Sequence, residues 1–328
     1  MEGIMKKQLI YLSICLILVA LAGRTALSHA EMENYRFKKI KLGEYKIKNG
    51  FTASGTYSVS WLELQTSHVT FDDELRVYVL DKKAQRVLQF DADGKLINTI
   101  VLKDIDFSDK SEELGDDGYI SYQIQVSSDG SYFYITEGGK ENNWAIYNSN
   151  GLPIKKNVNQ QWLRRSCDNN FKADGGLIEL DQNLNVVDKI KLSKPLKKNE
   201  IVSTEKYLYS FATKANSSTF IVTKAYFDRK EMWKKTVEGK ALRILGTDGH
   251  DNLYILVDNP LGIIKISSQG EKISTISLPK DSFFRDWRYV SFNVLCNGTI
   301  YCIPTYFALW KGQQDKERGE YYIYRFIK

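Results

Sequence analysis

The chain has 328 residues, 43% hydrophobic, 12% aromatic and 26% charged, with 46 basic against 40 acidic side chains. Those proportions suit a well-packed globular protein and exclude disorder, a collagen and a polytopic membrane protein. Tyr is plentiful (20) and Pro scarce (5), a bias that favours half-buried pleated strands.

Residues 1–30 read as an export signal. Lys6 and Lys7 give a positive start, residues 9–22 are apolar apart from Tyr11 and Ser13, and Ser28-His29-Ala30 offers a cleavage site before Glu31. The apolar run falls short of the ~20 residues of a membrane span, so no stable membrane insertion is expected after cleavage; an uncleaved signal anchor is the alternative. Ile14 before Cys15 is too large for a lipobox. The predicted location is the periplasm or the extracellular space. Cleavage removes Lys6, Lys7 and Arg24 along with Glu2, so the net charge falls from +6 to +4. No long Lys/Arg run follows, and neither nucleic acid nor an anionic membrane is implied as a partner. Cys167, Cys296 and Cys302 remain, an odd number that leaves at least one thiol free. A two-residue turn at Asn297-Gly298 would set Cys302 opposite Asn293 and Cys296 opposite Thr299, too far apart to bond. All three are read as core residues.

Beyond the leader, residues 35–42 alternate weakly and are expected to pair with the C-terminal strand, closing the fold on itself. Residues 76–81, 86–90 and 95–100 then form a three-strand meander around Asp91-Ala92-Asp93-Gly94. The unit recurs at 132–151, ending in Asn148-Ser149-Asn150-Gly151, and at 253–273, around Ser267-Ser268-Gln269-Gly270. Weaker copies of the turn stand at 180–184 and 227–231. These turns lie about 44 residues apart on average. A second set, Asp73-Glu74, Asp129-Gly130, His250-Asp251 and Asn297-Gly298, precedes the first strand of its unit and lies about 20 residues before the later turn, and 21 residues on from Gly298 a sixth unit's turn falls at Gly319. Tyr78, Tyr132, Tyr134, Tyr147 and Tyr254 fall on strands between units. The period predicts an all-β fold, a β-propeller of six blades of four-stranded antiparallel sheets, forming one domain over residues 31–328. Two β-sandwiches are disfavoured because the repeat crosses the midpoint and no linker divides the chain.

Val79-Leu80-Asp81, followed by Arg86-Val87-Leu88-Gln89-Phe90-Asp91-Ala92-Asp93-Gly94-Lys95, resembles one NHL-type repeat of the six-bladed propellers. The copy at 253–272 keeps the turn glycine but has Gly262 in place of the Arg. The resemblance implies a platform for ligands or proteins, and in some branches of such propellers a lactonase or lyase.

No catalytic signature accompanies this pattern. His68 and His250 stand singly in turn regions, with no H-x-H or H-E-x-x-H spacing. Asp91-Ala92-Asp93-Gly94 opens like a Ca²⁺ loop, but Leu102 occupies the position of the required Glu. G-x-S-x-G and Gly-rich phosphate loops are absent, and the six Trp fall at different places in their units. The most distinctive constellations are Trp162-Leu163-Arg164-Arg165 and Arg285-Asp286-Trp287-Arg288. Arg beside Trp suits stacking on a sugar or pairing with a carboxylate, so Trp162, Arg164, Arg165, Arg285, Trp287 and Arg288 are the expected partner-binding residues. The expected function is an exported, non-catalytic binding or scaffold module for a protein, peptide or glycan, with no cofactor. The alternative is a lactonase or other hydrolase/lyase that gathers Ca²⁺ or another divalent cation on scattered carboxylates, with Asp81 and Asp258-Asn259 as strand-end candidates.

Overall fold

A computed structural model of the chain describes residues 35–46, 50–53, 57–59, 69–81, 84–104, 123–127, 129–137, 143–159, 170–173, 176–180, 186–192, 194, 196–197, 199–203, 205–213, 217–258, 260–279, 290–304 and 318–327. The leader, Cys167, His68, the turn at 181–185 and the six Trp and Arg residues named above lie outside them.

Every described element is a strand, and the strands form six antiparallel sheets in a propeller-like arrangement. The first sheet comprises Val69–Phe71, Val77–Asp81, Arg86–Phe90 and Leu96–Val101. The second comprises Gln123–Val126, Tyr132–Glu137, Asn143–Asn148 and Pro153–Asn159. Three strands, Asn170–Ala173, Gly176–Leu180 and Val186–Lys191, make the third. The fourth holds Glu200–Val202, Leu208–Thr213, Thr219–Ala225 and Glu231–Glu238. The fifth holds Lys240–Thr247, Leu253–Asp258, Gly262–Ile266 and Lys272–Ser277. The terminal sheet joins the two ends of the chain, running Val290–Val294, Ile300–Pro304, Arg318–Ile327, Arg36–Lys46, Gly50–Ala53 and Tyr57–Val59.

The expected pairing of the N-terminal segment with the C-terminal strand is present and extends from Arg36↔Ile327 to Lys46↔Arg318, with one bulge at Lys41/Gly43. This pairing also corrects the placement of Gly319. It lies inside the third strand of the terminal sheet, which needs no following turn because its fourth strand comes from the other end of the chain.

Second and third strands of the first and fifth sheets are almost wholly buried, whereas the fourth strands of the first, fourth and fifth sheets are largely exposed. First strands lie beside first strands: Val69–Phe71 near Gln123–Val126, and Lys240–Thr247 near both Glu200–Val202 and Val290–Val294. The sheets therefore converge on their first strands and present their fourth strands outward. Apolar clusters fill the spaces between sheets. Tyr209, Phe220 and Val222 meet Leu253 and Ile255; Tyr254 and Ile263 meet Phe292 and Ile300; Tyr301 and Ile303 meet Phe71 and Val79; Leu80 and Val87 meet Ile124 and Phe133. Of the predicted inter-blade tyrosines, Tyr78, Tyr134, Tyr147 and Tyr254 are buried, and Tyr132 is half-buried.

One turn design joins most strands. In 72–76, 203–207, 248–252 and 295–299, between first and second strands, the first residue's N–H donates to the fifth carbonyl and the fourth N–H to the first carbonyl. The same pair of bonds closes 91–95, 148–152, 226–230 and 267–271, between third and fourth strands. This is the three-residue hairpin loop, which puts its fourth residue in the left-handed region. Gly94, Gly151, Gly270 and Gly298 hold that position, but so do Leu75, Lys206, Arg229 and Asp251. The fourth-sheet turn is thus 226–230, centred earlier than the predicted 227–231. The three-residue loop also shifts the last hairpin by one residue, so Cys302 opposes Phe292 rather than Asn293. Cys302 is a fully buried free thiol. Cys296 is disulfide-bonded, which corrects its reading as a plain core residue: it sits in the turn, where its sulfur is available for bonding.

Gly151 has φ +75, and a Cβ on it would run into the Val101 carbonyl. We expect Gly151→Ala to destabilise the protein by about 1–3 kcal/mol, read as a lowered denaturation midpoint with an unchanged slope.

Candidate functional site

The antiparallel order within each sheet sorts its connections to two ends. First-to-second and third-to-fourth turns share one end, where nearly every one has the tight five-residue design above. Second-to-third connections and the passages from sheet to sheet share the other. The described strand termini at that end are those linked in the sequence by residues 82–85, 138–142, 214–218, 259–261 and 305–317 and by the longer segments 102–122 and 278–289; Gly239 alone joins the fourth sheet to the fifth.

At the tight-turn end, the first, fourth, fifth and terminal sheets repeat one polar device. Six residues after the start of the first turn, the second strand carries Tyr78, Tyr209, Tyr254 or Tyr301, all fully buried, with Phe133 as the counterpart in the second sheet. Each hydroxyl reaches the first turn of its own or the next sheet. Tyr209 Oη donates to Asp251 Oδ2 at 3.0 Å, and Tyr301 Oη donates to the Leu75 carbonyl at 2.9 Å. Tyr78 Oη donates to Asp72 Oδ2 at 2.8 Å, and Tyr254 Oη donates to Asp248 Oδ2 at 2.9 Å. The last two hydroxyls also lie against Gly130 and Gly298 of the following sheet, where a Cβ would collide with them. Directly across the sheet from the four tyrosines stand Gln89, Lys224, Lys265 and Arg325. The three cationic members are buried.

Each of the three has a polar partner. Lys224 Nζ is 2.6 Å from Asp251 Oδ2, lies 4.1 Å from the centre of the Tyr207 ring, and donates to the Ser268 carbonyl at 3.4 Å. Lys265 Nζ lies 3.6 Å from Asp248 Oδ2. Arg325 donates to the Ala92 carbonyl at 2.8 Å, joining the terminal sheet to the first. Arg76 donates to the Asp129 carbonyl at 2.8 Å, joining the first sheet to the second. The tight-turn end is therefore a set of polar latches between neighbouring sheets.

Burial, reinforced by Asp251, raises the Tyr209 hydroxyl far above its ordinary range; burial and Asp248 do the same to Tyr254, and burial and Asp72 to Tyr78. Tyr301 is pushed up to about 12 by burial, with Arg325 opposing. A raised folded pKa gives stability that is complete below the unfolded tyrosine value of about 10 and is lost as pH rises above it. We expect at least these four of the 20 tyrosines to resist ionisation in an alkaline absorbance titration until the chain unfolds cooperatively above about pH 10. Smooth titration of every tyrosine in the folded state would contradict the latch geometry.

At the opposite end of the first sheet stands the buried pair Asp81 and Arg86. Asp81 Oδ2 accepts from Arg86 Nε at 2.8 Å and Arg86 Nη2 at 2.7 Å, while its Oδ1 accepts from the Ala84 N–H at 3.1 Å. Both residues are buried. Asp81 thus braces the 82–85 connection, and its oxygens already have these donors. In the fifth sheet the equivalent pair is Val257↔Gly262, and a Cβ on Gly262 would press on the Ile276 carbonyl. An Arg has no room there, which explains the weaker copy. His250 is exposed in its turn, its N–H donating to Asp248 Oδ1. Among the described residues no group of three or more His, Cys, Asp or Glu side chains is placed to hold a metal ion, and no helix is long and apolar enough to cross a membrane.

Sequence reasoning missed the buried cations. An Asp at a turn start followed six residues later by Tyr, as in Asp72/Tyr78 and Asp248/Tyr254, marks two of the buried tyrosines but not the cations.

No family model matches the chain, and no curated protein matches it. Among solved structures, the Neurospora crassa Pan2 WD40 domain is 12% identical, with a TM-score of 0.45 over 89% of this chain and 85% of that one. A luciferin-regenerating enzyme is 15% identical, with a TM-score of 0.42 over 90% and 96%. The virginiamycin B lyase of Staphylococcus aureus is 11% identical, with a TM-score of 0.39 over 90% and 100%. With all three TM-scores below 0.5, neither activity nor ligand carries over. The chain's own strands establish an all-β, propeller-like architecture.

Proposed function

We propose that residues 31–328 form an exported, non-catalytic binding or scaffold module, a six-bladed NHL-repeat-like β-propeller that holds a protein, peptide or glycan partner at its long-loop end. The observation that carries the reading is the asymmetry between the two ends. Tight turns and buried latches occupy one end, where Tyr209, Lys224, Tyr301 and Arg325 bond to the neighbouring sheet. The opposite end gathers the long connections, and loops of that kind on a rigid scaffold are where binding residues concentrate. The two Trp/Arg constellations belong to such connections by sequence. Trp162, Arg164 and Arg165 lie between the second and third sheets, and Arg285, Trp287 and Arg288 between the fifth and terminal sheets. Removal of residues 1–30 delivers the module to the periplasm or the extracellular space.

The test compares the mature chain with two triple-alanine variants, one at Trp162, Arg164 and Arg165 and one at Arg285, Trp287 and Arg288, on arrays of acidic glycans and acidic peptides. Melting temperatures should stay within a few degrees while array binding falls about tenfold or more in each variant. Unaltered binding by both variants, or no binding by the mature chain, overturns the reading. A rise in melting temperature with Ca²⁺ that a chelator reverses would instead favour a metal-dependent hydrolase or lyase.

A further inference from the structure

Two cysteines lie among the described residues, and they differ. Cys302 is free and wholly buried on its strand. Cys296 is disulfide-bonded. It stands second in the 295–299 turn, half-buried, and its carbonyl accepts from the Gly249 N–H at 2.8 Å, which fixes that turn against the 248–252 turn of the fifth sheet. The chain holds four cysteines, at 15, 167, 296 and 302. Because Cys302 is free, the partner of Cys296 is Cys15 or Cys167. Cys15 belongs by sequence to the leader, inside the apolar run that export removes.

We infer that Cys296 is bonded to Cys167, so that a disulfide fastens the terminal sheet to the connection between the second and third sheets. By sequence, residue 167 falls three positions before the strand Asn170–Ala173. The third and terminal sheets share no strand pairing, and the latches above run between sheets that follow one another in the chain or meet at its joined ends. The bond adds a constraint of another kind. It closes a loop of roughly 130 residues, and a cross-link over so long a loop removes much of the freedom of the unfolded chain.

A bond of this sort persists where thiols are kept oxidised, and so agrees with an exported chain. Cys302 does not disturb it. Exchange needs a thiolate with access to the disulfide, and burial both pushes the Cys302 thiol well above its ordinary value and closes it off. The inference does not depend on what the long-loop end binds; it uses the leader reading only to set Cys15 aside.

The experiment is peptide mapping of the full chain, exported, purified without reductant and alkylated in denaturant before digestion. Cleavage after Arg165 and Lys172 by trypsin and after Tyr301 by chymotrypsin places Cys167, Cys296 and Cys302 in separate peptides. A cross-linked pair containing Cys167 and Cys296 should be found and should vanish on reduction, with Cys302 alkylated in either case. Cys167 alkylated without reduction overturns the inference, as does Cys296 joined to Cys302 or to a second chain. A link from Cys296 to Cys15 overturns it together with removal of the leader. Melts give a second reading. Cys167→Ala and Cys296→Ala should each lower the melting temperature by about 5 °C or more, and the double variant should fall no further than either one. Reductant should lower the unsubstituted chain by the same amount and leave the double variant unmoved. Losses that add in the double variant mean two independent side chains and overturn the bond. Where a variant fails to fold, the peptide map of the unsubstituted chain decides.

Discussion

A chain that begins at residue 47 should lose most of its cooperative melt. The removed strand contributes the buried Ile40 and Leu42, each worth about 1.5–3 kcal/mol of burial, and a ladder of pairs from Arg36↔Ile327 to Lys46↔Arg318. Phe71 and Tyr301, stacked between the first and terminal sheets, would lose the neighbouring part of their cluster. A total loss of about 5 kcal/mol or more approaches the whole stability of an ordinary domain. Milder variants grade the effect: Ile40→Ala and Leu42→Ala should each cost about 2–5 kcal/mol. Adding a synthetic peptide of residues 31–46 to the truncated chain should restore part of the melting temperature in proportion to its concentration. A truncated chain that melts like the full one would show that the terminal pairing does not hold the sheets together.

The second large effect is expected at Lys224. Lys224→Met removes the ammonium from between Asp251, the Tyr207 ring and the Ser268 carbonyl. Asp251 is then left as an uncompensated buried carboxylate, and breaking a buried pair from one side costs about 3–5 kcal/mol. Lys224→Met combined with Asp251→Asn should recover much of that loss, since the remaining amide can still accept from Tyr209 without a charge to solvate. A double-mutant cycle from denaturant melts gives the coupling. Additive losses would mean that the two side chains act independently, contrary to their 2.6 Å contact.

These two sites differ in how far the sequence announced them. The N-terminal strand was visible because residues 35–42 alternate and need a partner, although the hairpin strands Gly50–Ala53 and Tyr57–Val59 beyond it were not foreseen. Turns were visible wherever the left-handed position holds glycine, as at Gly94, Gly151, Gly270 and Gly298. The turn 203–207 passed unnoticed and 226–230 was misplaced because Lys206 and Arg229 hold that position, and a long side chain carries no turn signal. Gly319 misled in the opposite sense, since a glycine inside a strand can look like a turn when the next strand comes from the far end of the chain. Nothing in the sequence marks Lys224, Lys265 and Arg325 for burial, because isolated charges seldom bury. Only partners that fold brings alongside, such as Asp251 and the Ala92 carbonyl, make their burial tolerable. The Trp and Arg constellations stand out in the sequence but lie outside the described residues, so their proposed role rests on their place between sheets.

The joining of the two ends in one sheet also sets the order in which the molecule can be completed. Arg36 and Ile327 are almost a whole chain apart, and contacts of such separation are late and slow to form because loop closure comes first. During synthesis the first strand must wait, with Ile40 and Leu42 uncovered, for a partner made last of all the described strands. The interval before closure is when the chain is most open to proteases and to capture by other unpaired strands, and its row of lysines gives that waiting edge a means of staying soluble.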